Sequence, residues 1–465
     1  MIIFYYKKLI SKRMPSRPLT IKEKILLIST VSFIIHILAI IFLTHLGDPE
    51  YWPRIIQTVN SGNGVYGLDG NYYTPLWGYI LAFVDMLIQF TGTIPFFGDV
   101  FSVFLPWEDV PGTKAWIVSP QITMATKLPM AICDIIVGYM IYKIVTDFTK
   151  DENKGVLAMA MWCFCPMVIY MACVQGQFDC ISTFIILLTI NLLREDRPLL
   201  AGISFGFAAW LKLFPSVCLF LFVGYLIKKY GTNDGIKRTV LAAIGALVTT
   251  IILILPQIVN GELPLVFGFF TGRADGAAEL AWYNTLVTVR LMLMLLLMLV
   301  LMVWSFIGIQ KKEKDLDRYL YLYAGVLITV ATIISRGYQY VPSFIIFILL
   351  FALISDDRRS YWMMYCWMSI LTVADAFFSI GPSMLAMDAV YYGFIDASWL
   401  EQITTAFLTT VGHSSKMPIG VIIPITWAIM LWFFVLFAVS DLMDDRYPKF
   451  KRFVERFRIW EGRTE

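Results

Sequence analysis

Charge is scarce in this sequence. Asp, Glu, Lys and Arg make up 15% of its 465 residues against 58% hydrophobic, with a mean hydropathy of +0.72. A soluble domain carries about a quarter charged residues, so a water-soluble globule is excluded and a polytopic membrane protein is expected. Histidine is rarer still. His36, His45 and His413 are too scattered for a metal-binding motif. The seven cysteines (Cys133, Cys163, Cys165, Cys173, Cys180, Cys218 and Cys366) sit in or beside apolar runs. Their spacing matches neither a metal knuckle nor a disulfide framework, and they read as small apolar fillers. There is no fixed-period repeat, Ser/Pro-rich linker or low-complexity tract, which points to one helical domain with loop insertions. The first apolar run follows Lys7, Lys8, Lys12, Arg13, Arg17, Lys22 and Lys24 and has no small-residue cleavage site, so a retained first span is expected.

Apolar runs are what the chain has in abundance. A helix needs about 20 apolar residues to cross the hydrocarbon core. Runs suited to this lie at about 24–46, 74–93, 122–147, 155–173, 178–193, 237–258, 285–309, 318–334, 341–355, 360–380 and 418–440. The expected fold is an all-α polytopic bundle of about 11 to 13 membrane helices. Lys and Arg sort the connections. Lys143/Lys150/Lys154, Arg194/Arg197, Lys228/Lys229/Lys237/Arg238, Lys311/Lys312/Lys314/Arg318, Arg358/Arg359 and the tail from Arg446 to Arg463 mark cytoplasmic ends. Loops 47–73, 174–177, 259–284, 335–340 and 381–417 are poor in positive charge and rich in aromatic and acidic residues, so they form the expected working face. The division is then a basic cytoplasmic N-terminus (1–23), a membrane domain (24–440) and a basic cytoplasmic tail (441–465).

Two segments resist simple threading. Residues 199–228 would make one helix of about 45 Å, too long for a core of about 30 Å. Lys212 and Pro215 at their centre suggest a hairpin of two short helices, with Lys212 at a tip buried in protein. Between 94 and 121 parity requires the chain to turn back, yet Phe96-Phe97-Gly98-Asp99 and Trp107-Glu108-Asp109 look interfacial, and sequence does not assign their side.

The chemistry-bearing residues cluster on the expected working face. Asp48 and Glu50 open the loop after the first span, beside Tyr51 and ahead of an amphipathic stretch that ends at Gly62-Asn63-Gly64. Tyr73 follows in the same loop. Gln175-Gly176-Gln177-Phe178-Asp179 interrupts an apolar hairpin with groups that are costly at membrane depth unless they face a wet cavity; the plain alternative is a turn with Asp179 as helix N-cap. Lys212 costs roughly 2.5–3.5 kcal/mol at a span centre, so it either snorkels or meets an anion such as phosphate. Arg273 and Asn284, with Arg336, Gln339 and Tyr340, form either an aromatic belt or a clamp for a sugar ring and its phosphate. Basic residues alternating with aromatics in the tail, from Lys449 to Arg458, suit an anionic inner leaflet and need no nucleic acid.

Asp48-Pro49-Glu50-Tyr51, Gly64-Val65-Tyr66, Tyr73-Thr74-Pro75-Leu76-Trp77-Gly78-Tyr79, Ile132-Cys133-Asp134, Gln175 to Asp179, and Gly206-Phe207-Ala208 to Lys212 and Pro215 occur in that order. Their order and spacing resemble the GT-C glycosyltransferase superfamily, in particular the GPI mannosyltransferase I catalytic subunit and polyprenol-phosphate-mannose-dependent mannosyltransferases. The likeness covers most of the first 220 residues well and the remainder weakly. Those enzymes often carry Asp-x-Asp where this chain has Asp48-Pro49-Glu50, which leaves Asp48 as the catalytic acid and Glu50 as its support.

The resemblance implies inverting transfer of a hexose, such as mannose, from a polyprenyl- or dolichyl-phosphate donor to a lipid-linked or glycan acceptor. A carboxylate would take the acceptor proton, worth about 100- to 10,000-fold in rate, and Lys212, Arg273 or Arg336 would stabilise the departing phosphate. Tyr51, Tyr73, Gln175, Gln177, Asp179, Asn284, Gln339 and Tyr340 complete the expected binding set. No cofactor is implied, and a divalent metal is not demanded by a monophosphate donor. The expected setting is a multi-pass protein of the cell membrane or endoplasmic reticulum, with room for a small membrane partner subunit. Two readings compete: a transporter or flippase of lipid-linked sugars, for which Asp134, Asp179 and Lys212 would mark the pathway, and a non-catalytic subunit.

Overall fold

The computed structural model describes residues 18–45, 48–67, 73–90, 97–103, 113–266, 281–334, 340–354, 359–380, 388–410, 418–443 and 447–458. Helix α1 (Ile21–Phe42) starts on a capping box between Thr20 and Glu23. Then come α2 (Asp48–Asn60), α3 (Pro75–Gln89), an antiparallel pair β1 (Phe97–Val103) and β2 (Thr113–Val118), α4 (Pro120–Thr149) and α5 (Glu152–Cys163). A bent continuation through Pro166–Val174 ends in a π-turn at Tyr170–Val174. The second half runs α6 (Asp179–Arg194), α7 (Pro198–Leu211), α8 (Leu219–Tyr230), α9 (Thr232–Val259), α10 (Ala281–Gln310), α11 (Leu316–Ile334), α12 (Val341–Ile354), α13 (Arg359–Ile380), α14 (Ala397–Thr410), α15 (Pro418–Leu442) and α16 (Pro448–Glu455). The fold is an all-α polytopic membrane bundle. Six of the described helices are long and apolar enough to cross a membrane, or seven counting the bent pair as one span.

The two segments that resisted threading have physical answers. The chain from 199 to 228 forms α7, an extended Lys212, a 3-10 turn at Phe214–Cys218 and α8. This is the expected two-helix hairpin with Lys212 at the break. Between 94 and 121, the described residues form the β1–β2 hairpin and not a further membrane helix. The hairpin packs against α2 and α14. Helix α3, at 15 residues, is about 22 Å long and falls short of a core of about 30 Å. The expected span at 74–93 is therefore corrected to a helix of 15 residues, shorter than the six that are long enough to cross.

Lys/Arg-rich helix ends gather at one pole of the bundle. Arg194 at the end of α6 hydrogen-bonds Asp147 of α4 and, at 3.3 Å, Asp317 of α11. Asp317 also accepts from Tyr225 at 2.6 Å and from Lys229 at 3.2 Å, both on α8. Helix α12 fills the centre, with each of its 14 residues buried. All seven cysteines are free, five of them buried, in keeping with a packing role.

Where two helices approach closely, glycine is required. A Cβ on Gly202 of α7 would stand 1.9 Å from the Ala242 carbonyl oxygen of α9, and one on Gly245 of α9 would stand 2.3 Å from that of Leu199. Gly206, one turn along α7, faces Thr249 in the same way. Between membrane helices this close contact replaces the missing hydrophobic drive. Gly202→Val should cost about 1–3 kcal/mol, the usual cost of overpacking, read as a lower thermal midpoint of the purified protein in detergent. An unchanged midpoint would refute the tight α7–α9 contact.

The tail lies against the bundle. Arg458 is 3% exposed and folds back onto the bundle, with Nη2 donating to Asp441 at 2.7 Å and Nη1 to Ser360 at 3.2 Å. The C-terminal segment is thus docked at least through residue 458.

Candidate functional site

At the pole opposite the basic helix ends, the turn between the π-turn and α6 organises the polar residues. Its backbone is held by Gln175 N–H to Tyr170, Gln177 N–H to Met171 and His45 N–H to Val174. Gly176 adopts φ +68°, a left-handed conformation that favours glycine. Its carbonyl accepts a 2.9 Å hydrogen bond from the indole of Trp52. One face of α2 thereby locks onto the turn, with Trp52, Ile55 and Ile56 buried.

Rings assemble around that indole. Trp52 lies 5.3 Å from Tyr73, 5.4 Å from Trp77 and 5.8 Å from Phe178, centroid to centroid. Trp77 stacks on Phe178 at 4.5 Å. Tyr51 completes the cluster from the side, 6.3 Å from Tyr73. The tilted geometries suit ring quadrupoles, and the fully buried indoles supply a rigid wall. Tyr51 and Tyr73 are half-buried and form its rim.

Beneath the rings lies a buried ion pair. Lys212 Nζ donates to Asp179 Oδ2 at 2.5 Å, with side-chain exposures of 8% and 0%. Ser343, in the first turn of α12, donates to the other carboxylate oxygen at 3.3 Å. The ammonium also lies over the faces of Phe178, at 4.8 Å, and Tyr340, at 4.3 Å. Two ring faces and one carboxylate thus meet a charge that would otherwise be costly to bury. Lys212 therefore does not snorkel: its ammonium is paired inside the bundle. Asp179 is the first helical residue and Phe178 the N-cap, so the capped-turn reading gives way to an inter-helix ion pair.

Lys127, which the sequence reading passed over, is fully buried on the other side of this turn. It donates to the Leu43 carbonyl and to Thr44 Oγ1, each at 3.3 Å. Its field reaches Asp388 across the fold. Burial raises that carboxyl above the usual carboxylate range, and the lysine charge opposes the rise. A Lys inside the apolar run 122–147, at the end away from Lys143, was the available signal.

A second buried pair lies within the spans. His36 of α1 places Nε2 3.5 Å from Asp134 Oδ2 of α4, both fully buried. The indole of Trp162, in α5, donates to the Asp134 carbonyl at 3.0 Å. Sequence treated the histidines as isolated; proximity in space supplies the partner that Asp134 needs at membrane depth.

Tyr51, Tyr73, Gln175, Gln177, Asp179, Lys212 and Tyr340 thus meet at one pole. Asp48 and Glu50 lie in the first turn of α2, and Asn284 lies in α10; their side chains fall outside the described residues, as do Arg273, Arg336, Gln339 and His413. Among the described residues no group of three His, Cys, Asp or Glu side chains could hold a metal ion.

Over 190 residues the chain is 24% identical to GPI mannosyltransferase 1 of Kluyveromyces lactis, a match spanning 41% of this chain and 39% of that relative. A sequence model of the family described as GPI transamidase subunit PIG-U matches residues 95–334. That segment carries Lys127, Asp134, the 175–179 turn and Lys212, and excludes Asp48 and Glu50. The expected likeness to GT-C-type membrane proteins of glycolipid assembly is met at this coarser level, while the specific likeness to mannosyltransferases rests on the more distant match alone. Matched over more than half its length, the chain belongs to the GPI transamidase subunit PIG-U family.

Proposed function

We propose that this chain is the glycolipid-binding subunit of a GPI transamidase in the endoplasmic reticulum membrane. It holds a lipid-linked glycan at the aromatic pole of the bundle without itself making or breaking a glycosidic bond. One observation carries this reading: the match to the GPI transamidase subunit PIG-U family covers residues 95–334, which hold the buried Asp179–Lys212 pair and exclude Asp48 and Glu50. Asp179, already accepting from Lys212 and Ser343, belongs to the binding wall and is poorly placed to act as a base itself. Ring faces and paired charges suit recognition. The half-buried Tyr51 and Tyr73 would lie against the sugar rings, and the amides of Gln175 and Gln177 would supply polar selectivity. The lipid tails would remain in the bilayer beside the bundle.

The second reading is sugar transfer from a polyprenyl-phosphate donor, with Asp48 as general base and Glu50 in support. The likeness to GPI mannosyltransferase 1 favours it. One complementation experiment separates the two. Cells lacking the resident subunit would receive the wild-type chain, Asp48→Asn or Tyr73→Ala, and both surface display of a GPI-anchored reporter and the mannose content of the accumulating glycolipid would be followed. Under the subunit reading, Tyr73→Ala lowers display about tenfold, fully mannosylated glycolipid accumulates and Asp48→Asn is tolerated. Glycolipid lacking mannose in the Asp48→Asn cells would transfer the assignment to the enzyme reading.

A further inference from the structure

We infer that the exposed face of the C-terminal helix is a binding surface for anionic phospholipid headgroups. In α16 and the turn after it, Lys449, Arg452, Phe453 and Arg456 fall at helical spacing on one side and are exposed. Phe450 and Val454 fall on the other and pack against the main core. The surface is basic, yet Phe453 remains 50% exposed and Phe457 41% exposed. Basic and aromatic side chains on one exposed face match the region where anionic headgroups meet acyl chains.

Depth selects the occupant. Arg458 Nη2 donates at 3.2 Å to the carbonyl of Phe437. Phe437 lies five residues before the end of α15 at Leu442, which is about 7.5 Å along the helix axis. The same guanidinium lies over the Phe437 and Tyr361 rings. Folding back this far holds the tail helix beside the end of a membrane span, at headgroup level and not out in solution. The end itself is fixed by Lys312, whose ammonium donates to the Leu442 carbonyl at 3.1 Å. A lipid surface thus meets the helix by position, and its charge decides which lipids it keeps. Arg458, spent on internal contacts, is the anchor, whereas Lys449, Arg452 and Arg456 are exposed toward lipid, Arg452 Nε donating to the Pro448 carbonyl of its own helix at 3.3 Å.

Native mass spectrometry of the full chain in detergent, offered equal phosphatidylcholine and phosphatidylserine, tests this. Phosphatidylserine should be retained at least about tenfold in preference, and Lys449→Gln/Arg452→Gln/Arg456→Gln should abolish the preference. Those side chains are exposed, so the variant should keep the wild-type thermal midpoint. Should it fail to fold, salt gives the second reading: raising it should erase the wild-type preference. Equal retention of both lipids by the wild type, or a preference that survives the substitutions or high salt, would overturn the assignment.

Discussion

Asp179→Ala lowers the stability of the purified protein by about 3–5 kcal/mol, because it leaves the Lys212 ammonium buried without its carboxylate. The two ring faces that remain cannot replace it, since a cation–π contact contributes only about 0.5–2 kcal/mol. Lys212→Met has a comparable effect from the other side, orphaning the acid. The double variant Asp179→Ala/Lys212→Met recovers much of the loss, since no charge is then left buried without its partner. A double-mutant cycle on thermal midpoints in detergent therefore shows a large favourable coupling energy. Additive losses would mean that the two side chains act independently and that the polar centre of the site has been misassigned.

The second large effect is expected between α1 and α4. His36 Nδ1 lies 2.8 Å from the Ser32 carbonyl, and a carbonyl only accepts, so Nδ1 carries the hydrogen. Its other nitrogen faces Asp134. That contact is attractive only when one proton is shared between them, either as imidazolium with carboxylate or as a carboxylic acid donating to the ring. His36→Phe removes the partner and leaves an acid buried among apolar helices, at a cost of about 3–5 kcal/mol. Asp134→Asn, by contrast, keeps a neutral amide able to donate to Nε2 and should be far milder. Thermal unfolding of both variants checks the ordering; a milder His36→Phe would show that the pair contributes no attraction.

Much of the architecture was legible because membrane physics constrains sequence strongly. Apolar runs had to be helices, since the bilayer offers the backbone no other partner. The length of 199–228 with a cation at its centre required a broken hairpin, and Lys212 lies at that break. Residues 74–93 misled because an apolar run does not reveal where its helix stops, and here the helix ends at Gln89 after 15 residues. The docking of Arg458 was hidden for a related reason. A basic tail reads as facing lipid headgroups throughout until one of its members, Arg458, is found paired with Asp441.

The candidate site was legible in composition and illegible in pairing. Gln175, Asp179, Lys212 and Tyr340 could each be singled out as polar or aromatic groups at unusual depth, because local hydropathy makes such residues conspicuous. Which of them neutralise one another depends on contacts between positions 33 to 164 residues apart. Lys127 and His36 were missed on the same ground, their partners belonging to other helices.

By itself, then, the sequence determined the class: a polytopic helical membrane protein with its positive charge sorted between helix ends, because the cost of polar groups in lipid is local and additive along the chain. Only tertiary structure decided that Asp179 answers Lys212 and His36 answers Asp134, because the partner of a buried charge is chosen by helix packing across the bundle, which no local pattern of residues encodes.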